Sequence, residues 1–220
     1  MQNDCDVKFL SMETTNLTEM KLAVSIQGRE HTTVLPVPGA HNVMNALAAL
    51  AIGVALGVSD AEAVERLTRF RPMALRFERI QLANGTRAVN DSYNANPESM
   101  RAALRTVSAA TRAGRFVVAF GDMLELGEQS AELHRGVGRS AAEMGADPVY
   151  LLGDFAGDVA GGAIEAGLAE SSICICEDAE QMGRLLADDL RAGDVLLVKG
   201  SRGMRMERVV DFLKQEIGTG

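Results

Sequence analysis

The chain has 220 residues and a formal net charge of −8 at pH 7. This length suits one large domain or two small ones, and a hydrophobic content of 47% is enough to build a packed core. The acidic balance, with a pI near 5.0, argues against nucleic acid as a partner because phosphate contacts need clustered Lys and Arg. No apolar run reaches the roughly 18 residues of a membrane span and no leader segment opens the sequence, so we expect a cytoplasmic protein without membrane insertion.

The first third of the sequence predicts a small antiparallel sheet or a sheet edge. Leu22, Val24 and Ile26 alternate with polar residues and share one face of a strand. A turn at 27–30 leads into a further strand at 31–37. These strands alone form a poor domain, so the sequence is expected to begin in the middle of one.

Two helices follow the turn at 36–40. The first, at about 42–56, is rich in Ala, Leu and Val on nearly all sides, which predicts that more protein covers it. The second begins at the capping box Ser59-Asp60-Ala61-Glu62 and runs to about Phe70. Pro72 disfavours continuation of this helix and indicates a boundary between a domain at 1–71 and another at 72–220.

From residue 76 onward, strands and helices alternate. A hairpin is predicted at Asn84-Gly85, between strands at 76–83 and 87–92. Helices are then expected at 97–111, 131–144, 155–166, 179–190 and 204–217, and strands at 115–120, 149–152, 173–176 and 195–198. Short apolar strands that alternate with helices form parallel βαβ units. The sequence therefore predicts an α/β fold, a Rossmann-like three-layer sandwich with a mostly parallel sheet.

The three cysteines give little sign of a metal or redox site. Cys174 and Cys176 lie two residues apart in a segment, 171–176, that is predicted to be a buried strand. No nearby Cys or His completes a ligand set, so no metal site is expected in the chain.

Polar side chains follow four of the predicted strands. The densest cluster starts at Asp91, and Asp122, Asp154 and the segment 199–202 follow other strands. Parallel strands present their carboxyl ends at one edge, where ligands bind in open α/β sheets. Asp91 and its neighbours also suit an ordinary turn, and Asp154 suits a helix cap. The Lys-Gly-Ser-Arg sequence at 199–202 favours a bound carboxylate or phosphate.

Several common catalytic motifs are absent from this sequence. It contains no Gly-Lys pair and hence no Walker-type phosphate loop, and Gly136-Val137-Gly138 lies in a predicted helix rather than after a strand. His31, His41 and His134 do not group into a triad or a metal site, and His134 is taken as a packing or surface residue.

Several segments of the sequence together resemble a known protein family. Residues 39–49 are similar to the G-x-H-N-x-x-N-x-L-A-A segment of the Mur ligases, the ATP-dependent amino-acid ligases of peptidoglycan synthesis. Three other segments resemble the MurF type of that family: 91–100, 121–127 followed by His134, and 199–202 followed by Met206-Glu207. The resemblance covers about 36–212.

The resemblance implies a domain order and a reaction. Residues 1–71 resemble only the C-terminal part of a central ATPase domain, and 72–220 resemble the C-terminal Rossmann-like domain of the family. A MurF-type ligase uses ATP to convert the terminal carboxylate of UDP-N-acetylmuramoyl-tripeptide into an acyl phosphate, which the amine of D-alanyl-D-alanine attacks. The chain is therefore expected to be a C-terminal fragment, inactive alone, of a monomeric enzyme. The phosphate loop and the Mg²⁺ ligands of the family belong upstream.

The resemblance also implies nucleotide-binding residues. Asn42 matches the family residue near the adenine, Arg76 the catalytic residue that reaches the ATP phosphates, and Asp91 the ribose contact. Leu75 stands where the family usually has Gly. The alternative for Arg76 is a surface ion pair with Glu78.

An acceptor site is predicted from the residues at the strand ends. Ser201 and Arg202 are expected to hold the carboxylate of D-alanyl-D-alanine, and Tyr93 to pack against a methyl group. The full set of predicted substrate-binding residues is Tyr93, Asn94, Asn96, Lys199, Ser201 and Arg202.

One other function remains open on the sequence alone, and a further one does not fit it. The chain suits a stand-alone module that binds a small anion at the strand ends without catalysis. A Rossmann-type methyltransferase would need a glycine-rich first turn, and Asn94-Ala95-Asn96-Pro97 is not one.

Overall fold

The computed structural model of the chain describes residues 6–14, 19–37, 39, 41–71, 73–111 and 113–220. They form two compact units, Met1–Pro72 and Met73–Gly220. Pro38, Ala40 and Pro72, which belong to the predicted turn and boundary, lie outside the described residues. None of the helices in these ranges combines the length and apolar character that crossing a membrane requires.

The first unit is an antiparallel sheet with two helices. Its strands are β1 (Val7–Thr14), β2 (Met20–Ile26) and β3 (Arg29–Leu35), and its helices are α1 (His41–Ala55) and α2 (Asp60–Thr68). β2 lies in the middle, and alternate side chains along it are fully buried, as its period of two predicts. Ser59 caps α2 by accepting a hydrogen bond from the amide of Glu62, as the capping box predicted.

Helix α1 buries only one of its apolar faces within the described residues. Val43, Ala46 and Leu50 pack in the core of the first unit. On the outer side, Met44 and Ile52 remain 68% and 61% exposed. The sequence prediction of a helix with apolar residues on nearly all sides is therefore correct, although the described residues cover only part of that surface.

The second unit contains the other elements. In chain order they are β4 (Glu78–Gln81), β5 (Arg87–Asp91), α3 (Pro97–Ala110), β6 (Phe116–Gly121), α4 (Ser130–Glu143), β7 (Ala146–Leu152), α5 (Ala156–Glu165), β8 (Ile173–Cys176), α6 (Ala179–Asp189), β9 (Val195–Lys199) and α7 (Glu207–Glu216). The sheet order is β4-β5-β9-β6-β7-β8, with β4 antiparallel to β5 and the remaining neighbours parallel. The predicted α/β fold with a mostly parallel sheet is confirmed.

The middle of this sheet forms the core of the second unit. Every residue of β6 and β9 is buried, as expected for parallel strands covered on both faces. Helices α6 and α7 pack Leu186 and Val209 into the cluster that contains Val117 and Leu196 of these strands. The hairpin predicted at Asn84-Gly85 joins β4 and β5.

Several predicted details are wrong; the strand predicted to begin at residue 149, for example, begins at Ala146. The segment that ends at Cys176 is not a buried strand, because β8 is the edge of the sheet and Ile175 is 55% exposed. The last helix begins at Glu207 rather than at Met204. A 3₁₀ turn at Arg202–Met204 comes first, and Arg205 then adopts a left-handed conformation with φ of 50°, which ends the turn before the helix.

Candidate functional site

The carboxyl ends of β5, β9, β6 and β7 lie side by side along one edge of the sheet. Asp91 pairs in register with Lys199, and Lys199 pairs on its other side with Phe120. Gly121 in turn pairs with Leu152, directly before the Gly153-Asp154 turn. The four polar segments predicted to share an edge therefore do so.

Lys199 is a buried cation that holds Asp91 in place. The lysine is only 2% exposed, and its Nζ lies 2.5 Å from Asp91 Oδ2. It also donates a hydrogen bond of 2.9 Å to the carbonyl of Asn94. The other oxygen of Asp91 accepts from the amide of Phe77 at 3.1 Å. A buried charge needs such partners, so Lys199 fixes both the carboxylate and the loop after β5.

Ser201 joins three strand-end segments. Its amide donates to the carbonyl of Asp122 at 2.9 Å, and its Oγ accepts from the amide of Leu124 at 2.8 Å. The hydroxyl also donates to the carbonyl of Ala95 at 3.4 Å. The sequence assigned this hydroxyl to substrate binding. In the structure the residue is only 4% exposed, and its hydroxyl is used in these two contacts. The structure gives Ser201 a connecting role between loops.

Asp122 accepts hydrogen bonds from two amides that directly precede the helix after the neighbouring strand. Its carboxylate accepts from the amides of Asp154 and Phe155 at 2.8 and 3.2 Å, at the start of α5. A carboxylate is stabilised there by the free amides and by the helix dipole. Gly153 has φ of 125°, and a Cβ on it would lie 2.4 Å from the Asp122 carboxylate, so the contact requires glycine. Asp154 contributes its amide to this contact.

His134 is a buried residue of α4, which agrees with its interpretation from the sequence as a packing residue. It is 1% exposed, and its ring stacks on Phe155 with centroids 4.6 Å apart. Its Nε2 accepts a hydrogen bond of 2.9 Å from the amide of Met123. No pattern in the sequence predicts this bond, because the histidine lies eleven residues after Met123 and on another element.

Arg76 and Tyr93 form an exposed pair. The guanidinium carbon of Arg76 lies 4.0 Å from the centroid of the Tyr93 ring, a cation–π contact. Glu78, the alternative partner of Arg76, instead accepts from the side chain of Asn90 at 3.2 Å and lies 3.8 Å from Lys214. The described contacts of Arg76 therefore favour the Tyr93 ring over the alternative ion pair with Glu78.

Arg202 presents its charge to solvent. Its side chain is 58% exposed, and Nη1 lies 2.8 Å from Glu207 Oε1. Only the arginine end of this pair is exposed, because the Glu207 side chain is 18% exposed. The guanidinium N–H groups that do not face Glu207 can bind another anion. Among the three polar side chains of the segment 199–202, only that of Arg202 is exposed.

The predicted asparagines have local partners. Asn96 caps α3, with its side chain accepting from the amide of Ser99 at 2.8 Å. Asn94 accepts from the amide of Ala95 at 2.9 Å. Asn42 lies in the first unit, where its side-chain oxygen accepts from Asn45 at 3.3 Å. Ligand contacts of all three remain predictions.

Residues 75–202 match the family model described as Mur ligase, glutamate ligase domain. This span is more than half of the chain. The chain belongs to the Mur ligase family. Members of this family are ATP-dependent peptide ligases, so the predicted enzyme class is confirmed at the level of the family.

Individual Mur ligases show the same relationship. The UDP-N-acetylmuramoyl-tripeptide--D-alanyl-D-alanine ligase of Bacillus subtilis is 32% identical over 86% of this chain and 41% of the relative. The ligase of the same name from Escherichia coli is 35% identical over 93% of this chain and 46% of the relative. The chain thus spans less than half the length of these two relatives.

Solved structures agree with the sequence relatives. A crystal structure of MurF from Acinetobacter baumannii has a TM-score of 0.85 at 30% identity, covering 96% of this chain and 46% of that one. A MurF ligase from Thermotoga maritima, solved in complex with ADP, has a TM-score of 0.80 at 23% identity and covers 98% of this chain and 48% of its own. At 23% identity, the likeness to the Thermotoga maritima structure concerns the fold alone.

The Mur ligase resemblance raised a question at Leu75, where the family usually has Gly. Leu75 has φ of 64°, in the left-handed region that costs a residue with a Cβ about 1–2 kcal/mol. Phe77, on the other side of Arg76, has φ of 52°. A glycine would take the Leu75 conformation without strain, which explains the family preference. The two left-handed residues hold Arg76 at a sharp bend before β4.

Replacing Leu75 by glycine and, separately, by alanine should measure this strain. Both changes remove the half-buried leucine side chain, but only glycine adopts the left-handed conformation freely. We expect the glycine variant to be more stable than the alanine variant by about 1 kcal/mol, which reverses their order in a helix. Urea unfolding of the two variants gives the comparison. Higher stability of the alanine variant would contradict a strained Leu75.

Proposed function

We propose that this chain is the C-terminal part of a MurF-type ligase, which joins D-alanyl-D-alanine to UDP-N-acetylmuramoyl-tripeptide with hydrolysis of ATP to ADP and phosphate. The names of the two relatives support this reaction. The observation that carries it is the meeting of the three MurF-like segments, 91–100, 121–127 and 199–202, at adjacent strand ends. Loops distant in sequence thereby share one edge of the sheet.

In the proposed reaction, ATP phosphorylates the tripeptide carboxylate and the dipeptide amine attacks the resulting acyl phosphate. Activation is needed because a free carboxylate is a poor electrophile. The residues of this chain contribute by positioning the reactants and balancing charge. The described residues contain no group of three or more His, Cys, Asp or Glu side chains that could hold a metal ion, so no Mg²⁺-dependent step is assigned to them.

The nucleotide is proposed to contact Asn42, Arg76 and Asp91. Stacking of Arg76 on Tyr93 uses the face of the guanidinium and leaves its in-plane N–H groups for phosphate oxygens. Each carboxylate oxygen of Asp91 accepts a hydrogen bond, from Phe77 or from Lys199, and has a second lone pair for a ribose hydroxyl. Lys199 keeps this carboxylate oriented.

The acceptor dipeptide is proposed to bind at Arg202 and Tyr93. Arg202 offers an exposed fork for the dipeptide carboxylate, and Tyr93 is 39% exposed and offers an aromatic face for a methyl group. The other predicted substrate residues hold the loops that carry these two: Asn94, Asn96, Lys199 and Ser201.

A titration with D-alanyl-D-alanine tests the proposed acceptor site. We expect the dipeptide to shift the backbone amide resonances of Tyr93, Leu124 and Arg202 in the isotope-labelled chain. L-alanyl-L-alanine is the stereochemical control, and acetate tests the alternative of a general anion-binding module. Equal shifts with acetate and with both dipeptides would support that module and contradict the ligase site.

The chain alone should not hydrolyse ATP. Its sequence contains no Walker-type phosphate loop, so no backbone cradle for the β- and γ-phosphates is expected. The measurement is ADP release by the purified polypeptide in the presence of UDP-N-acetylmuramoyl-tripeptide and D-alanyl-D-alanine. ADP release that requires both substrates would contradict this prediction.

A further inference from the structure

The hydrogen bonds of His134 define which of its ring nitrogens carries the proton. Nδ1 lies 2.7 Å from the carbonyl oxygen of Ser130, which can only accept, so Nδ1 is the protonated nitrogen. Nε2 is then free to accept, and the amide of Met123 donates to it at 2.9 Å. The neutral imidazole thus connects α4 to the loop after β6.

This bond is one of two that fix consecutive amides of the loop. His134 Nε2 accepts from Met123, and Ser201 Oγ accepts from Leu124 at 2.8 Å. Directly afterwards, Glu125 adopts φ of 65°, a conformation that a residue with a side chain takes only when its surroundings impose it. The two side chains therefore hold the loop at its departure from the strand.

The loop places Leu124 next to the proposed acceptor site. The leucine side chain is 43% exposed, although it follows a buried strand. It lies against Gly203, since a Cβ on that glycine would be only 2.7 Å from Leu124 Cδ1. Gly203 directly follows Arg202. An exposed aliphatic side chain thus lies against the residue that follows Arg202, whose guanidinium is proposed to hold the dipeptide carboxylate.

We propose that His134 is a positioning residue: through Nε2 it fixes the Met123 amide, and with it the loop that sets Leu124 as the aliphatic wall of the acceptor site. The role of Leu124 rests on the proposed function. The fixing of the loop rests on the two hydrogen bonds alone. A residue that only filled the core next to Phe155 would not need an acceptor at Nε2.

Two substitutions of His134 distinguish a positioning role from a role limited to packing. In His134→Gln, the side-chain oxygen can occupy the Nε2 position and accept from Met123. In His134→Asn, the side-chain amide can keep the bond to Ser130 but does not reach Met123. Both variants lose the ring stack on Phe155, so a role limited to packing should affect them equally.

Amide hydrogen exchange in the chain gives the first readout. We expect the protection of the Met123 and Leu124 amides, relative to that of Leu197 in β9, to fall about tenfold in His134→Asn and to stay within about threefold of wild type in His134→Gln. Equal losses in the two variants, or no loss in either, would overturn the positioning role.

The affinity for D-alanyl-D-alanine gives the second readout. We expect His134→Asn to weaken it by about five- to tenfold and His134→Gln to leave it nearly unchanged. If the wild-type chain does not bind the dipeptide, the proposed function and the role of Leu124 fail. The exchange result still decides whether His134 fixes the loop.

A measurement on the wild-type chain covers the case in which neither variant folds. The nitrogen resonances of the His134 ring should show a proton on Nδ1 and none on Nε2. A scalar coupling should cross the hydrogen bond from the Met123 amide to Nε2. A proton on Nε2 would overturn the proposal without any variant.

Discussion

Replacing Arg115 by methionine should lower the free energy of unfolding by about 3 kcal/mol, because it leaves a buried carboxylate without its cation. Arg115 Nη2 lies 2.6 Å from Asp194 Oδ2, and Nη1 lies 2.9 Å from Asp189 Oδ1. The side chain of Asp194 is only 3% exposed. Methionine keeps much of the arginine's aliphatic volume, so the loss reports chiefly on the charge. Urea unfolding measures it.

Arg139→Met is a matched control for this prediction. Arg139 is 37% exposed, close to the 32% of Arg115, and also lies near two carboxylates, those of Glu132 and Glu165. These partners are 70% and 46% exposed, so water can solvate them when the arginine is removed. We expect Arg139→Met to lower the free energy of unfolding by no more than about 1 kcal/mol. Similar losses in both variants would show that the burial of Asp194 does not matter.

The same ion pair predicts a pH dependence. Burial alone would raise the pKa of Asp194, but hydrogen bonds from the Arg115 side chain and from the amides of Arg115 and Arg191 outweigh it and hold the pKa below its usual value. A carboxyl group with a lowered folded-state pKa stabilises the fold above its unfolded-state pKa, and this contribution is lost as the pH falls through the folded-state value. The stability difference between wild type and Arg115→Met should therefore shrink below about pH 4.

The sequence predicted the edge at which the polar segments meet because parallel topology brings carboxyl strand ends together. It did not predict what each side chain does there. The bond from Lys199 to Asn94 joins residues 105 positions apart, and that from Leu124 to Ser201 joins residues 77 apart. Residue type identifies a donor, but its partner depends on which loops the fold brings into contact.

The errors in the predicted elements have a similar cause. A short apolar run such as the one ending at Cys176 fits a central strand and an edge strand equally, and only the order of the sheet decides that Ile175 faces solvent. The late start of α7 depends on the left-handed Arg205 and on Met206, whose side chain packs against Gly121 and Gly200. No local sequence pattern predicts the left-handed conformation of Arg205 or the packing of Met206.

In a full-length ligase that carries this chain, Arg202→Ala should raise the KM for D-alanyl-D-alanine by about ten- to a hundredfold and leave that for ATP nearly unchanged. A charge-assisted pair between guanidinium and carboxylate contributes roughly 1.5–3 kcal/mol, which corresponds to this range. Glu207 is only 18% exposed, so the loss of this ion pair should also lower stability, and urea unfolding of the variant checks that it remains folded. Steady-state kinetics with each substrate varied in turn gives the two KM values.

Two further variants make the Arg202 result specific. Arg208→Ala removes an equally charged, exposed residue from the neighbouring helix α7 and should leave both KM values unchanged. Arg202→Lys keeps the charge but loses the planar fork, so its KM for the dipeptide should lie between those of wild type and Arg202→Ala. A raised KM for ATP with an unchanged KM for the dipeptide would mean that the turn after β9 serves the nucleotide, and the acceptor carboxylate would then have to be held by other residues.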